Sequence, residues 1–424
     1  MTLSLGIDVG TSGVRSAVIG PTGDVLAMAR QPHGTQSGDS INAELWWEAV
    51  QACLHAQMAT LTEAGFNPMD VSAIAVDGTS GSMVLTDAAL RPVSPALMYN
   101  SKGFDPEADQ IAKFAAENHI AQGSNSALAR AMRLLKLAEQ APAHLLHQAD
   151  FVAAKLMGEG GRSDQNNALK TGFDPGDETW PDWIDQVLDP KLLPKISPVG
   201  ADFGEISNEV AQELGLSART KIRAGTTDSI AAFFACAPFQ PGVAVTSLGS
   251  TLAVKILSES RIDDPKIGLY SHRVGDVWLA GGASNTGGAV IAAHFSPEEI
   301  DNLSRDMDPA DPTGLKYYPL LEPGERFPTN DPDLQPRMEP RPADDATFLQ
   351  AIFEGIAQIE WDSYQAIKLR GGGFPSTLFS AGRGASNVAF QAIREQRLNT
   401  KISTARDTEA AIGVARLALG LNSH

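Results

Sequence analysis

The stretch 3–19 reads LSLGIDVGTSGVRSAVI, and the stretch 243–257 reads VAVTSLGSTLAVKIL. Each is an apolar run, a turn of small polar residues with glycine, and a second apolar run. That pattern predicts a β-hairpin with glycine at its tip. Gly10 aligns with Gly249, Thr11 with Ser250 and Ser12 with Thr251. Asp8 is matched by Ser247, so the acid belongs to one copy only. A layout that recurs so far along a chain predicts an internal duplication, and no other feature limits the fold as strongly. For one hairpin alone, an ordinary turn holding an aspartate and a phosphate cradle are both admissible. Glycine lets backbone N–H groups approach a bound group closely, and phosphate is the usual guest of such turns. Two turns facing each other would grip one polyphosphate from both sides. Asp8 beside phosphates would then need a divalent cation between them.

A chain of 424 residues is too long for one ordinary core. Two domains are expected, 1–220 and 221–424, with the boundary inside 216–223. With 43% apolar and 20% charged residues the composition is globular. The net charge of −18 argues against nucleic acid or an anionic membrane as partner, since either needs a basic face. A nucleotide needs only local donors and a metal, so it stays open. Cys53 and Cys236 lie in different halves without metal-like spacing and read as reduced, buried thiols. No signal-type segment or membrane-length apolar run is expected, which points to a cytoplasmic protein.

Along the chain, 43–64 has helical spacing of its apolar residues. Residues 71–76 read as a strand that runs into Asp77-Gly78-Thr79-Ser80-Gly81-Ser82. A strand over 83–86 would make this the same strand–turn–strand device a third time. Helices are expected at 106–118, 126–140 and 149–157. The second half opens with Gly225-Thr226-Thr227-Asp228-Ser229 and an apolar helix over 230–237. The stretch 309–342 is rich in Pro, Asp and Gly and reads as a surface excursion. Helices over 348–369, 388–397 and 408–419 surround a strand, 376–381, that leads into Gly382-Arg383-Gly384-Ala385-Ser386-Asn387. Strands alternating with helices, twice over, give an α/β class.

Asp8, Asp77 and Asp228 each stand at a strand end in a Gly/Thr/Ser-rich turn, which is where α/β sheets bind ligands. In local sequence, an aspartate like Asp228 at the start of an apolar helix is most often an N-cap. The assembled motifs, however, resemble the FGGY family of carbohydrate kinases over nearly the whole length. The resemblance rests on Gly6-Ile7-Asp8-Val9-Gly10-Thr11-Ser12, Asp77-Gly78-Thr79-Ser80, Gly225-Thr226-Thr227-Asp228-Ser229, Leu248-Gly249-Ser250-Thr251 and the turn 382–387. Further stretches resemble the D-ribulose kinase (xylulose-kinase-like) subgroup: Asn166-Asn167-Ala168-Leu169-Lys170, Tyr270-Ser271-His272-Arg273 and 281–288.

The resemblance implies two actin-like (ribonuclease H-like) ATPase domains with an interdomain cleft. It implies ATP and Mg²⁺ as cofactors. Asp228 matches the catalytic base that takes a proton from the sugar hydroxyl and also contacts the sugar. Asp8 matches the acid that holds Mg²⁺ and lies near the sugar. Gly10, Thr11 and Ser12 match one phosphate turn, and Gly249, Ser250 and Thr251 the other. Gly384, Ala385 and Asn387 match the adenosine turn, with Phe390 near the base. Ser80 matches a sugar contact. The implied reaction turns D-ribulose into D-ribulose 5-phosphate, with D-xylulose, ribitol and L-ketopentoses as alternatives. The partners are then a sugar and ATP, and the protein is a monomer or homodimer.

The chain departs from the family pattern in three places. Arg383 stands where many members have glycine. Gly81-Ser82-Met83 replaces a Gln and His near the sugar. Tyr99-Asn100-Ser101-Lys102-Gly103 lacks the acid and arginine of the usual Trp-Asn-Asp-x-Arg segment. No Gly-Lys dipeptide exists for a Walker A loop, and Asn387 stands where a dinucleotide fingerprint needs its third glycine. His144 and His147 lack a nearby partner for a metal site and read as packing residues. An ATP-driven conformational machine and a sugar-binding regulator without catalysis are the alternatives of a different class. The first would turn over ATP without sugar, and the second would bind sugar without turnover.

Overall fold

Every residue of the strand Leu3–Val9 is buried. A strand covered on both faces needs apolar residues at nearly every position and neighbours that cover it, which is the condition of a parallel sheet interior. The computed structural model describes residues 2–34, 40–117, 119–305 and 307–420, without the side chains of Ser40 and Arg383. The chain divides into two units, one of 1–235 with 272–275 and 409–424, the other of 236–271 with 276–408.

The sheet of the first unit runs Asp202–Glu205, Lys221–Thr227, Val71–Gly78, Leu3–Val9, Gly13–Ile19, Val25–Pro32. Leu3–Val9 and Lys221–Thr227 both pair parallel with Val71–Gly78, while the hairpin strand Gly13–Ile19 returns antiparallel. The helix Ala410–Leu419 lies across Leu3–Val9 and Val71–Gly78. Gly6 permits this contact, because a Cβ there would stand 2.0 Å from the Ala411 carbonyl oxygen. Gly225 plays the same part between strands: its Cβ would stand 1.8 Å from the Val76 oxygen, beside the register shift between Arg223 and Thr226.

The sheet of the second unit contains, in order, Val277–Ser284, Leu252–Ser258, Val243–Leu248, Thr377–Ala381 and Ile402–Thr404. Val243–Leu248 and Leu252–Ser258 form an antiparallel hairpin, and Thr377–Ala381 pairs parallel with Val243–Leu248. This is the strand order of the first sheet repeated, hairpin for hairpin. The duplication expected from the two glycine turns is therefore present as topology.

The segment after Asp77 corrects the sequence reading. Met83–Thr86 does not pair back on Val71–Gly78 as a third hairpin. It pairs with His144–His147 and Ala96–Leu97 in a separate four-stranded sheet. Gly81 in the turn has a φ of +88°, and Met83–Thr86 finds its backbone partners in strands that are distant in sequence. Some helices are shorter than their apolar periodicity indicated. They span Asp105–Ile111 and Ala127–Leu137, and Asn118, where the first was expected to end, lies outside the described residues. The excursion 309–342 is irregular but anchored. Glu325 accepts hydrogen bonds from Ser284 Oγ at 2.5 Å, the Asn285 N–H at 2.7 Å and Tyr318 Oη at 3.0 Å. No helix among the described residues is long and apolar enough to cross a membrane.

A buried ionic network holds the second unit. Arg394 and Glu360 are fully buried, and two guanidinium nitrogens reach the carboxylate at 2.7 and 2.8 Å. Thr246 Oγ1 donates to Glu360 at 2.6 Å, and Arg394 donates to Ser380 Oγ at 2.8 Å. The network thus ties two strands to the helices Asp345–Leu369 and Val388–Leu398. Removing one charge strands the other without solvent, so Glu360→Gln is expected to cost about 3–5 kcal/mol of unfolding free energy. Urea unfolding of the variant measures this; a loss below about 1 kcal/mol would contradict the account.

Burial drives the His147 imidazole down to about 3, with the Arg130 and Lys170 charges adding to the shift. The unfolded histidine titrates near 6.5. The neutral ring therefore contributes its stability in full above about pH 6.5, and that stability is lost as pH falls through this value toward 3. The wild-type protein is expected to lose stability relative to His147→Gln across that window, at up to about 1.4 kcal/mol per pH unit. Parallel acid titrations of unfolding would show a constant difference if the ring were accessible to protons in the folded state.

Candidate active site

Three acids stand at the carboxyl ends of adjacent parallel strands. Asp8 pairs in register with Asp77, and Thr226 also pairs with Asp77. Asp228 follows two residues later, as the first residue of the helix Asp228–Cys236. Neighbouring strands lie about 4.8 Å apart, so parallel register alone brings these carboxyl groups together. All three belong to the first unit.

Their surroundings differ. Asp8 is buried, and its Oδ2 accepts a hydrogen bond from Arg15 Nη1 at 2.9 Å. Arg15 Nε also lies 3.4 Å from Glu409. Burial raises the Asp8 pKa, and the Arg15 guanidinium opposes that shift. Asp77 is fully buried, with no N–H or hydroxyl donor on either oxygen, and its carboxyl lies in hydrogen-bond contact with that of Asp8. Burial, then the charges of Asp8 and Asp228, push its carboxyl well above the ordinary range. Asp228 is half-buried and accepts the Ser229 N–H at 2.6 Å. Of the three acids it is the least buried.

Behind Asp228 lies a supporting layer. Asn166 Nδ2 donates to Thr226 Oγ1 at 3.1 Å. Asp164 caps the helix Gln165–Lys170 by accepting the N–H groups of Asn166 and Asn167. Burial lifts Asp164 to about 6 in spite of those bonds. On the other side of Asp77, Ser80 is half-buried. Its neighbour Thr79 is fixed through its N–H and hydroxyl to Gln148 Oε1, at 3.0 and 2.7 Å.

The two glycine turns are built alike. Gly10 donates to the Gly13 oxygen at 3.0 Å, and Thr11 and Ser12 are exposed. In the second unit Gly249 donates to the Thr251 oxygen at 3.1 Å, and Gly249, Ser250 and Thr251 are all exposed. Gly288 and Ala289 donate to the oxygens of Gly249 and Ser250, which fastens the start of a helix onto this turn. The late turn abuts the same strand end. A Cβ at Gly382 would stand 2.5 Å from the Leu248 oxygen. Gly384 is half-buried and Ala385 buried. Asn387 caps the helix Val388–Leu398, accepting the Phe390 N–H at 2.9 Å and donating to Ser304 Oγ at 2.8 Å. The structure thus groups Asp8, Gly10, Thr11, Ser12, Ser80 and Asp228 in one unit. Gly249, Ser250, Thr251, Gly384, Ala385 and Asn387 lie in the other.

Phe390 is a core residue. It is 1% exposed and stacks on Phe353 at 4.4 Å, inside the second unit's core. The Arg383 side chain, a departure in the sequence, lies outside the described residues. Among the described residues no three His, Cys, Asp or Glu side chains are grouped to hold a metal ion alone. The arrangement fits Mg²⁺ that arrives with a nucleotide, because phosphates and water then supply most ligands and one carboxylate suffices.

Four residues of this region carry no assignment from sequence. Arg15 had a usable signal: once the turn occupies 10–13, counting back along the hairpin sets Arg15 opposite Asp8. Asn166 entered only through a subgroup motif. Gln148 and Arg130 had no signal, since tertiary packing alone brings them to the Thr79–Ser82 turn.

Comparison with known proteins agrees with this geometry. Residues 3–235 match the N-terminal domain of the FGGY family of carbohydrate kinases. A xylulose kinase of Streptomyces coelicolor is 27% identical over 99% of this chain and 88% of its own length. One from Staphylococcus xylosus is 24% identical over 99% and 90%. Among solved structures, a xyloylose kinase from Brucella ovis superposes with a TM-score of 0.86 at 21% identity, covering 98% of this chain and 90% of its own. The fold is the two-domain actin-like ATPase fold. With more than half of its length matched, the chain belongs to the FGGY family of carbohydrate kinases and is an ATP-dependent sugar kinase.

Proposed function

We propose that the protein transfers the γ-phosphoryl group of ATP to a hydroxyl of a ketopentose, D-ribulose, giving D-ribulose 5-phosphate and ADP. The observation that carries the reading is the half-buried Asp228 beside two buried acids on adjoining strand ends. Asp228 accepts the proton of the sugar hydroxyl as that oxygen attacks the γ-phosphorus. The Asn166–Thr226 bond holds the strand end from which Asp228 projects. Asp8 is the Mg²⁺ acid, with Arg15 fixing its orientation. Bound Mg²⁺ neutralises charge on the phosphate oxygens. The N–H and hydroxyl groups of Gly10, Thr11 and Ser12, and of Gly249, Ser250 and Thr251, stabilise charge on the transferring group. Gly384, Ala385 and Asn387 hold the adenosine, and Ser80 contacts the sugar.

The choice of D-ribulose rests on the 166–170, 270–273 and 281–288 stretches and on the altered segments at 81–83 and 99–103. D-Xylulose is the second reading, favoured by the xylulose kinases among the relatives. The test is ADP release from Mg-ATP with D-ribulose, D-xylulose, ribitol, L-ketopentoses and no sugar. Release that requires D-ribulose supports the proposal. A response to D-xylulose alone replaces the substrate, and equal release without sugar overturns the kinase reading.

Asp228→Ala is expected to keep ATP binding while turnover falls by a factor of about 10²–10⁴, the range a general base supplies. Calorimetry and coupled ADP release check the two halves of that statement. Near-normal turnover would remove Asp228 from the role of base.

A further inference from the structure

Arg130 is 1% exposed on the helix Ala127–Leu137, yet no carboxylate among the described residues pairs with it. The two terminal nitrogens of its guanidinium donate to backbone, while Nε has no hydrogen-bond partner. Nη1 donates to the Gly81 oxygen at 2.6 Å, and Nη2 donates to the oxygens of Tyr99 at 2.8 Å and Asn125 at 3.2 Å. The group also lies 5.7 Å from the centre of the Phe104 ring. Burial lowers its pKa to about 10, so it stays charged at working pH. Burying a cation without an acid is costly, and a fold retains one where its geometry is needed.

The three carbonyls come from separate segments, and two of these are the segments that depart from the family pattern. Gly81 adjoins Ser80, and Tyr99 opens the Tyr99–Ser101 stretch. A second link joins the same pair: the Tyr99 N–H donates to Ser82 Oγ at 2.9 Å. Gly81 is also fitted to the cation, with a φ of +88° and only 3.2 Å from a Cβ at that position to Arg130 Nη1.

We propose that Arg130 is the positioning residue of the sugar pocket, holding the Thr79–Ser82 turn and the 99–101 segment at the spacing that admits the sugar. The proposal rests on the reading of Ser80 as a sugar contact. A planar fork can span two carbonyls at once, and a lysine ammonium cannot hold the same pair in the same directions. A displacement of about 1 Å in a positioning element costs up to about 100-fold in rate.

The test uses the full chain with Arg130→Lys and, in case that variant does not fold, Ser82→Ala, which leaves the Arg130 bonds in place and removes the second link together with the Thr79 Oγ1–Ser82 Oγ bond. Expected for Arg130→Lys is a rise of about 10- to 100-fold in sugar KM, with ATP KM within about twofold. Ser82→Ala shifts sugar KM in the same direction by less. Amide hydrogen exchange is read alongside, and Tyr99 is expected to exchange faster in both variants while the Asp228–Cys236 helix is unchanged. Sugar and ATP constants that move together, or an unchanged sugar KM, overturn the proposal. If the wild type turns over no sugar, the kinase reading fails on its own, and the Tyr99 exchange rate alone decides whether Arg130 is the clamp: unchanged exchange rejects it.

Discussion

The parallel pairing of Leu3–Val9, Val71–Gly78 and Lys221–Thr227 is the constraint on which the rest depends. Parallel strands end together on the same side of a sheet, and each leads into its own turn there. In this protein each of those ends carries an aspartate or leads to one. The register is enforced from both faces. Gly6 lets the Ala410–Leu419 helix sit directly on the sheet, and Gly225 lets its strand close onto Val76. A side chain at either glycine would separate the layers and with them the acids. Chemistry and packing are therefore coupled through backbone contact, not through the acids' own bonds.

The second sheet repeats the strand order without the acids. Ser247 stands where the first copy has Asp8, and it pairs with Ala381 where Asp8 pairs with Asp77. The buried charge of that unit lies instead in its core, where Glu360 and Arg394 neutralise each other fully. The two copies thus use ionisable groups oppositely. One leaves buried acids in mutual proximity with only Arg15 near Asp8, a state that perturbs titration and suits reaction. The other pairs a buried acid with a buried base and gains rigidity beneath its glycine turn.

The sugar side has a third arrangement. Arg130 and the Thr79–Gln148 bonds order a turn that hydrophobic pattern could not specify. Arg130 joins the turn's Gly81 carbonyl to those of Tyr99 and Asn125, so the helix Ala127–Leu137 is tied to the turn. The same charge lowers the affinity of His147 for protons. The polar layer beneath the pocket is consequently one electrostatic unit, in which a change at one group alters the others.

The sequence by itself determined the two hairpins, their duplication and the aspartates at strand ends, because alternation and glycine-containing turns are local signals. The Asp8–Arg15 pairing was open to the same local counting, although the sequence reading did not assign Arg15. What only the tertiary structure decided is non-local. Met83–Thr86 left the expected hairpin for another sheet because its backbone partners, Ala96–Leu97 and His144–His147, lie far away in sequence. Phe390 turned inward onto Phe353, since a helix face is chosen by what packs on it. Arg130 met Gly81 across 49 positions of sequence. A buried cation finds its carbonyls through packing, and no periodicity in the chain records that meeting.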